Sequence, residues 1–275
     1  MSANLEDLLG RAKAIRADIL RSTTEAGSGH PSSSLSATEV VSALYFGGFM
    51  KYNTKNPHWA DRDRFILSKG HAAPVLYAAL AEAGYFPKDQ LLTLRKLGSP
   101  LEGHPNMKRL GGVEASTGSL GQGLSIGVGH ALAARVDKKG YHTYVMTGDG
   151  EIGQGQIWEA AASAAKYKLD NLTCIVDRNH FQQTGAAEEV LNMDPIDDKF
   201  TAFGWKSFTI NGNDMKEVVD ALTRAREVKG QPSCIVSLTH KGQGILPLLE
   251  KLGDTNFHGK PLKPENLEEA LALIS

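Results

Sequence analysis

His142-Thr143-Tyr144-Val145-Met146-Thr147-Gly148-Asp149-Gly150-Glu151-Ile152-Gly153 is the stretch on which the fold turns. Residues 142–147 read as a strand. The glycine turn that follows reads as the opening of a helix, with Gln156–Lys168 as its regular part. The alternation continues downstream. Leu172–Val176 and Trp205–Ile210 read as strands, Asp214–Val228 as a helix and Ser233–Leu238 as another strand. Strand and helix in turn predict an α/β fold, with a mostly parallel central sheet and helices on both faces. Such sheets bind ligands beyond the carboxyl ends of their strands. The loops TGDGE, DRNH, THKGQG and SKGH fall there.

Upstream, Leu5, Leu8, Leu9, Ala12, Ile15, Ile19 and Leu20 form one stripe of a helix over residues 5–25. Helices are also expected at Ser36–Phe46, Ala72–Ala83, Lys88–Leu97 and Leu124–Arg135, the last rich in small residues that suit close packing. Residues 64–67 read as a short strand. Residues 98–121 read as a long irregular segment, and its length inside a compact chain favours a functional role. No repeat or linker is visible, so residues 1–275 are expected to form a single domain.

Composition narrows the function. The chain has 275 residues, and its 30 Lys+Arg against 31 Asp+Glu leave a net charge of −1, which provides no broad field for nucleic acid. Any anionic ligand must therefore be held by local chemistry. Cys174 and Cys234 lie in apolar runs and read as buried, inert thiols. No apolar run reaches the ~18 residues of a membrane span, and the N-terminus reads as an amphipathic helix. A cytoplasmic protein is expected.

The segment Gly148–Gly153 matches the spacing G-x-G-x-x-G of dinucleotide-binding loops, and Asp177 stands where a ribose-binding acid would. Electrostatics argues against that reading. A glycine turn at a helix start offers backbone N–H groups to a diphosphate, but Asp149 would turn a carboxylate toward the same anion. A divalent cation between them reverses the sign of the interaction. Mg²⁺ takes six oxygens, and Asn179, past the next strand, could add one to Asp149, a backbone carbonyl, water and two diphosphate oxygens. On these two positions alone, three other readings stay open: a dinucleotide loop, a helix N-cap at Asp149 and a turn former at Asn179.

Gly-Asp-Gly followed by Asn179 resembles the thiamine-diphosphate signature, and further motifs resemble the N-terminal domain of transketolases. They are Ser28-Gly29-His30-Pro31, Leu67-Ser68-Lys69-Gly70-His71-Ala72, Gly103-His104-Pro105 and Thr117-Gly118-Ser119-Leu120-Gly121-Gln122-Gly123. Thr239-His240-Lys241-Gly242-Gln243-Gly244 and Phe257-His258-Gly259-Lys260 complete the set, in order, over residues 10–262. The resemblance implies the thiamine-diphosphate-binding fold of the diphosphate (PP) type. It implies that Asp149, Asn179 and the carbonyl of Phe181 hold Mg²⁺ or Ca²⁺. Gly150 would meet the diphosphate, and Gly118 and Leu120 the aminopyrimidine. Ser33, His71, Lys241 and His258 would also bind cofactor. His30, His104 and His258 would be catalytic, surrounding the reacting sugar, because an imidazole titrating near neutrality can both take and give a proton. His58, His130, His142 and His240 are read as structural, and the side chain of His180 is expected to point away. For Lys69 and Lys241 the reading as ordinary exposed lysines stays open, and Lys241, in a Gly-rich strand-end loop, is the better phosphate candidate.

The resemblance also implies an incomplete enzyme. The family's activating glutamate lies in a pyrimidine-binding domain, and no residue here is assigned that role: either a separate subunit supplies it or the chain is a fragment, and the separate subunit is the favoured expectation. A partner subunit carrying the pyrimidine-binding and C-terminal domains is expected, in an α2β2 assembly that uses the helices after Gly123 and Asp149. The expected reaction transfers a two-carbon ketol unit between sugar phosphates. The alternatives are the same chemistry on a sulfosugar or branched pentulose phosphate, a non-catalytic cofactor-binding module, and a nicotinamide-dependent oxidoreductase. Two positions depart from the family pattern. Gln154 replaces a usual glutamate of an acidic network between sites, and His180-Phe181-Gln182-Gln183 is bulkier than usual.

Overall fold

The computed structural model describes residues 4–254 and 256–274; Met1–Ala3, Thr255 and Ser275 lie outside the described residues. The strands are β1 (Arg64–Leu67), β2 (Thr143–Gly148), β3 (Leu172–Arg178), β4 (Lys206–Asn211) and β5 (Ser233–Leu238). They form one sheet in the order β1-β2-β3-β5-β4, and every neighbouring pair is parallel. Register sets Met146 beside Ile175, and Ile175 beside Ile235. Parallel strands need crossovers, and helices provide them on both faces.

The helices are α1 (Leu5–Ala26), α2 (Pro31–Leu35), α3 (Thr38–Phe46), α4 (Ala73–Ala83), α5 (Gln122–Val136), α6 (Gly155–Lys166), α7 (Ala187–Val190), α8 (Ile196–Ala202), α9 (Met215–Glu227), α10 (Leu246–Lys251) and α11 (Leu267–Ile274). The period-2 alternation of the strands divides the apolar residues into two cores. Phe65, Tyr144, Met146, Ile175 and Ile235 join α1, α3, α4 and α9 on one face. Ile66, Val145, Cys174, Val176 and Val236 join α5, α6 and α8 on the other. Cys174 and Cys234 are buried, free and opposite each other in register.

Local chemistry sets the helix ends. Asn4 accepts a hydrogen bond from the Glu6 amide to start α1, and Gly27, at φ 57°, ends it. Asp214 accepts from the amides of Lys216 and Glu217 to start α9. α5 lies close on the sheet because Gly127 has no side chain: a Cβ there would stand 2.3 Å from Val145 Cγ2.

Several sequence expectations need correction. Leu5 and Leu9 are exposed. Leu9 lies about 100° around the helix from Leu8, off the stripe that Leu8, Ala12, Ile15 and Ile19 bury. Only Lys88–Thr93 is helical within 88–97, as a 3₁₀ turn. Leu94 is extended there and Arg95 has φ 58°. The helix expected at Ser36–Phe46 is α3, which begins two residues later at Thr38, and a short helix that was not expected, α2, precedes it, started by Pro31 at its first position and capped by Ser36. Residues 98–121 hold neither helix nor strand, as expected. No helix among the described residues is long and apolar enough to cross a membrane.

Candidate functional site

A cleft of about 740 Å³ opens where the chain leaves β1, β2, β3 and β5. It gathers every residue to which the sequence assigned a site role: His30, Ser33, His71, His104, Gly118, Leu120, Asp149, Gly150, Asn179, Phe181, Lys241 and His258. His58, His130, His142, His180 and His240 do not line it. The His180 ring instead meets Glu188, 3.0 Å away.

The Gly-Asp-Gly loop departs from the dinucleotide-binding pattern. It leads into a 3₁₀ turn, Glu151–Gly153, and α6 starts only at Gly155, with Gln154 as its N-cap. Asp149 therefore caps no helix. Asp177, the would-be ribose ligand, is wholly buried and engaged by Lys69, Ser36 and Thr239. Both observations dispose of the dinucleotide reading.

Two buried carboxylates tie the loops together. Asp177 accepts from Lys69 Nζ, Ser36 Oγ (2.6 Å), Asn179 Nδ2 (3.2 Å) and Thr239 Oγ1 (2.5 Å). It thereby joins α2 to the segments after β1, β3 and β5. Burial alone would raise its carboxyl group, but the ammonium and hydroxyls outweigh that and hold it below its ordinary value. Glu151 accepts from Ser68 Oγ, Gly121 N and Gly148 N, and burial raises it. Lys69 is thus no exposed lysine. Its side chain is 1% exposed, and it also donates to the Ser33 carbonyl at 2.9 Å. The sequence signal for Asp177 was its place at the end of an apolar strand, where an unpaired acid is costly.

The histidines are close-packed. Ring centroids of His30, His71 and His258 are 5.1, 4.9 and 5.4 Å apart. His104 packs against Gly118, whose φ of 144° and lack of a side chain the contact requires: a Cβ would stand 2.9 Å from the ring. Burial pushes His30 down to about 4, helped by Arg95, His104 and the lysines. Burial and Lys241 push His258 down to about 3. His71 and His104 are also lowered, chiefly by burial. The expectation of imidazoles titrating near neutrality is therefore corrected for the cleft as the protein's own residues build it. They are neutral there, because burial penalises the imidazolium and the neighbouring charges are cationic. His30 Nδ1 is buried without a protein hydrogen-bond partner.

Lys241 donates to Asn256 Oδ1 (2.5 Å) and meets His258 Nδ1 (3.0 Å). Burial and Lys69 lower it to about 8, against the pull of Asp149 and Asp177. Asp149 Oδ1 accepts from the Gly150 amide (2.8 Å), and Oδ2 from Arg178 Nη1 (3.0 Å) and the His180 amide (2.8 Å). Burial and Asp177 raise its carboxyl group despite Arg178. Asn179 Oδ1 accepts from the Phe181 amide at 3.2 Å, so the turn-forming reading of Asn179 also holds. His180, between them, has φ 68°, a strained conformation for a residue with a side chain.

Among the described residues no three His, Cys, Asp or Glu side chains cluster as a metal site. The donors at Asp149, Asn179 and Phe181 are instead one carboxylate, one amide oxygen and one carbonyl. That set suits a hard cation whose shell is completed by phosphate oxygens and water. A neutral imidazole cluster beside a buried ammonium and a glycine turn suits the anionic end of a cofactor.

Residues 10–272 match the family model described as "Transketolase, thiamine diphosphate binding domain". The chain belongs to the transketolase family. It is 42% identical over 268 residues to the transketolase of Pongo abelii, covering 97% of this chain and 42% of that one. It is 45% identical over 257 residues to the 6-deoxy-6-sulfo-D-fructose transketolase subunit SqwG of Clostridium sp. (strain MSTE9), covering 94% of this chain and 93% of that one. The solved transketolase of Campylobacter jejuni superposes with a TM-score of 0.91 at 32% identity, over 98% of this chain and 43% of that chain. The chain thus spans well under half the length of most full transketolases it matches, and nearly all of the SqwG subunit.

Proposed function

We propose that this chain is the thiamine-diphosphate-binding subunit of a transketolase, completed by a partner with the pyrimidine-binding and C-terminal domains. The reaction proposed is transfer of a two-carbon ketol unit from a ketose phosphate to an aldose phosphate. The observation that carries it is one cleft holding Asp149, Gly150, Asn179 and Lys241 beside His30, His71, His104 and His258. When bound, thiamine diphosphate supplies the electron sink. Asp149, Asn179 and the Phe181 carbonyl would hold Mg²⁺ or Ca²⁺ against its diphosphate, and Gly150, Ser33, His71 and Lys241 would contact the same end. Gly118 and Leu120 would present backbone groups to the aminopyrimidine. His30, His104 and His258 orient sugar hydroxyls and, with anionic ligands nearby to raise them, accept or return a proton.

The similarity to SqwG over both chains' lengths supports a separate subunit, and an α2β2 assembly is proposed with α5 and α6 at its interface. It also supports a second reading, in which the sugar is a sulfosugar rather than a phosphate. Calorimetric titration with thiamine diphosphate, with and without Mg²⁺ and the partner, is expected to show metal-dependent binding that Asp149→Ala abolishes. Binding that ignores both metal and Asp149 would falsify the site. Assays with xylulose 5-phosphate plus ribose 5-phosphate, against 6-deoxy-6-sulfofructose as donor, separate the two readings.

A further inference from the structure

Arg178 stands between Asp177 and Asn179 at the end of β3, and its side chain is 3% exposed. It has no part in the sequence reading or in the proposed reaction, yet it forks three ways. Nη1 donates to Asp149 Oδ2 at 3.0 Å, Nε and Nη2 to Asp194 at 3.2 and 2.6 Å, and Nη2 to Glu188 Oε1 at 2.5 Å. A planar, permanently charged fork is the side chain suited to hold several carboxylates at once.

The contacts divide the two oxygens of Asp149. Oδ2 is engaged by Arg178 and by the His180 amide. Oδ1 accepts from the amide of the adjacent Gly150 and retains lone-pair capacity. The carboxylate is thus held from behind in one rotamer. A guanidinium so close to a cation ligand would ordinarily weaken cation binding by repulsion. Here two outer carboxylates, Glu188 and Asp194, set two negative charges against its single positive one. The same contacts anchor the segment 184–194, whose first residue, Thr184, lines the cleft.

We propose that Arg178 is a positioning residue. It braces Asp149 for a divalent cation at the diphosphate end of the cleft, and Glu188 and Asp194 cancel its charge so that the brace does not repel that cation. The inference rests on the thiamine-diphosphate reading above. It adds that cation affinity depends on two carboxylates outside the cleft. A guanidinium that merely glued the segment down would alter stability and proteolysis within 184–194, and leave Mg²⁺ dependence alone.

The test is calorimetric titration of the full chain with thiamine diphosphate at a series of Mg²⁺ concentrations, with melting temperature measured on the same samples. Residues that orient metal ligands typically contribute about 10–100-fold in affinity. The Mg²⁺ concentration for half-maximal cofactor binding is expected to rise at least about tenfold in Arg178→Met, and less in Arg178→Lys. It is also expected to rise in the double variant Glu188→Gln/Asp194→Asn, which unmasks the guanidinium. Should Arg178→Met fail to fold, the double variant decides, because its two side chains are 44% and 43% exposed. Wild-type Mg²⁺ dependence in the folded variants overturns the proposal, whatever their stability. Absence of Mg²⁺-dependent binding in the wild-type chain, both alone and with its partner, overturns the thiamine-diphosphate reading instead.

Discussion

The Lys69 ammonium is sealed against the Asp177 carboxylate beneath the cleft, with side chains 1% and 0% exposed. Removing one partner leaves an uncompensated buried charge, which costs about 3–5 kcal/mol. Lys69→Met and Asp177→Asn are each expected to lower the melting temperature sharply. The double variant is expected to be more stable than the sum of the single losses predicts, since neither charge is then left alone. Thermal melts of the four proteins measure the coupling; strict additivity would show that the two charges do not depend on each other.

Lys241 gives the cofactor site a pH dependence. Its folded value of about 8 lies below the ~10.4 of an exposed lysine. Burial therefore penalises the ammonium, and that penalty to stability is present below pH 8 and relieved as pH rises toward 10.4. Anion binding has the opposite sign, because a diphosphate favours the ammonium. Thiamine diphosphate affinity is expected to hold below pH 8 and then fall by up to about tenfold per pH unit. Titrations between pH 6.5 and 9.5 check this. In Lys241→Met binding is expected to be weaker, without the alkaline fall.

The imidazole cluster has an acid limb. His30 is held at about 4 and His258 at about 3, against about 6.5 in the unfolded chain. Folded values are depressed, so the stability contribution is present above pH 6.5 and lost as pH falls toward 4. Below 6.5 the unfolded chain takes up protons that the folded chain refuses. Melting temperature is expected to fall across this window, and less steeply in His30→Asn and His258→Asn. Buried His142, also at about 3, keeps part of the limb in both variants.

The sequence disclosed the sheet because period-2 apolar strands alternate with helices, and it disclosed the cleft because its loops carry Gly, His, Asp and Asn beside strand ends. It was blind to what holds those loops. Apart from the local bonds to Asn179 and Gly148, Asp177 and Glu151 act through hydrogen bonds to residues 30 to 141 positions away, which no local pattern records. Arg178 at the close of a buried strand was a signal of the right kind, since a guanidinium there must find carboxylates. The histidine pKa values went wrong because they depend on burial and on Lys69, Lys241 and Arg95, which only the fold brings together. Leu5 went wrong because a helical stripe does not say where its contact ends, and Leu9 because it lies to one side of that stripe.

Gly118 is where a single methyl group is expected to matter. At φ 144°, with a Cβ placed 2.9 Å from the His104 ring, Gly118→Ala meets both backbone strain and a clash. Strain of this kind costs about 1–3 kcal/mol. A loop displaced to relieve it would move Leu120 and His104 together. Gly118→Ala is expected to weaken thiamine diphosphate binding at least tenfold. Gly155→Ala, whose Cβ would meet nothing within 4 Å, is expected to bind as wild type. Calorimetry on both variants supplies the comparison.

Gly129 tests the proposed subunit interface. It lies inside α5, is exposed, and a Cβ there would meet nothing within 4 Å. Alanine in a helix interior is better than glycine by about 0.8–1.0 kcal/mol, so Gly129→Ala is expected to raise the melting temperature of the chain alone. If the face of α5 packs against another subunit, the added methyl groups stand in that contact. Sedimentation with the partner is then expected to show weaker assembly even though the isolated chain is more stable. A variant that is stabilised and assembles as the wild type would place the interface elsewhere than Gly129. A variant that is not stabilised alone would mean that the helix around Gly129 is strained in a way its open surroundings do not explain.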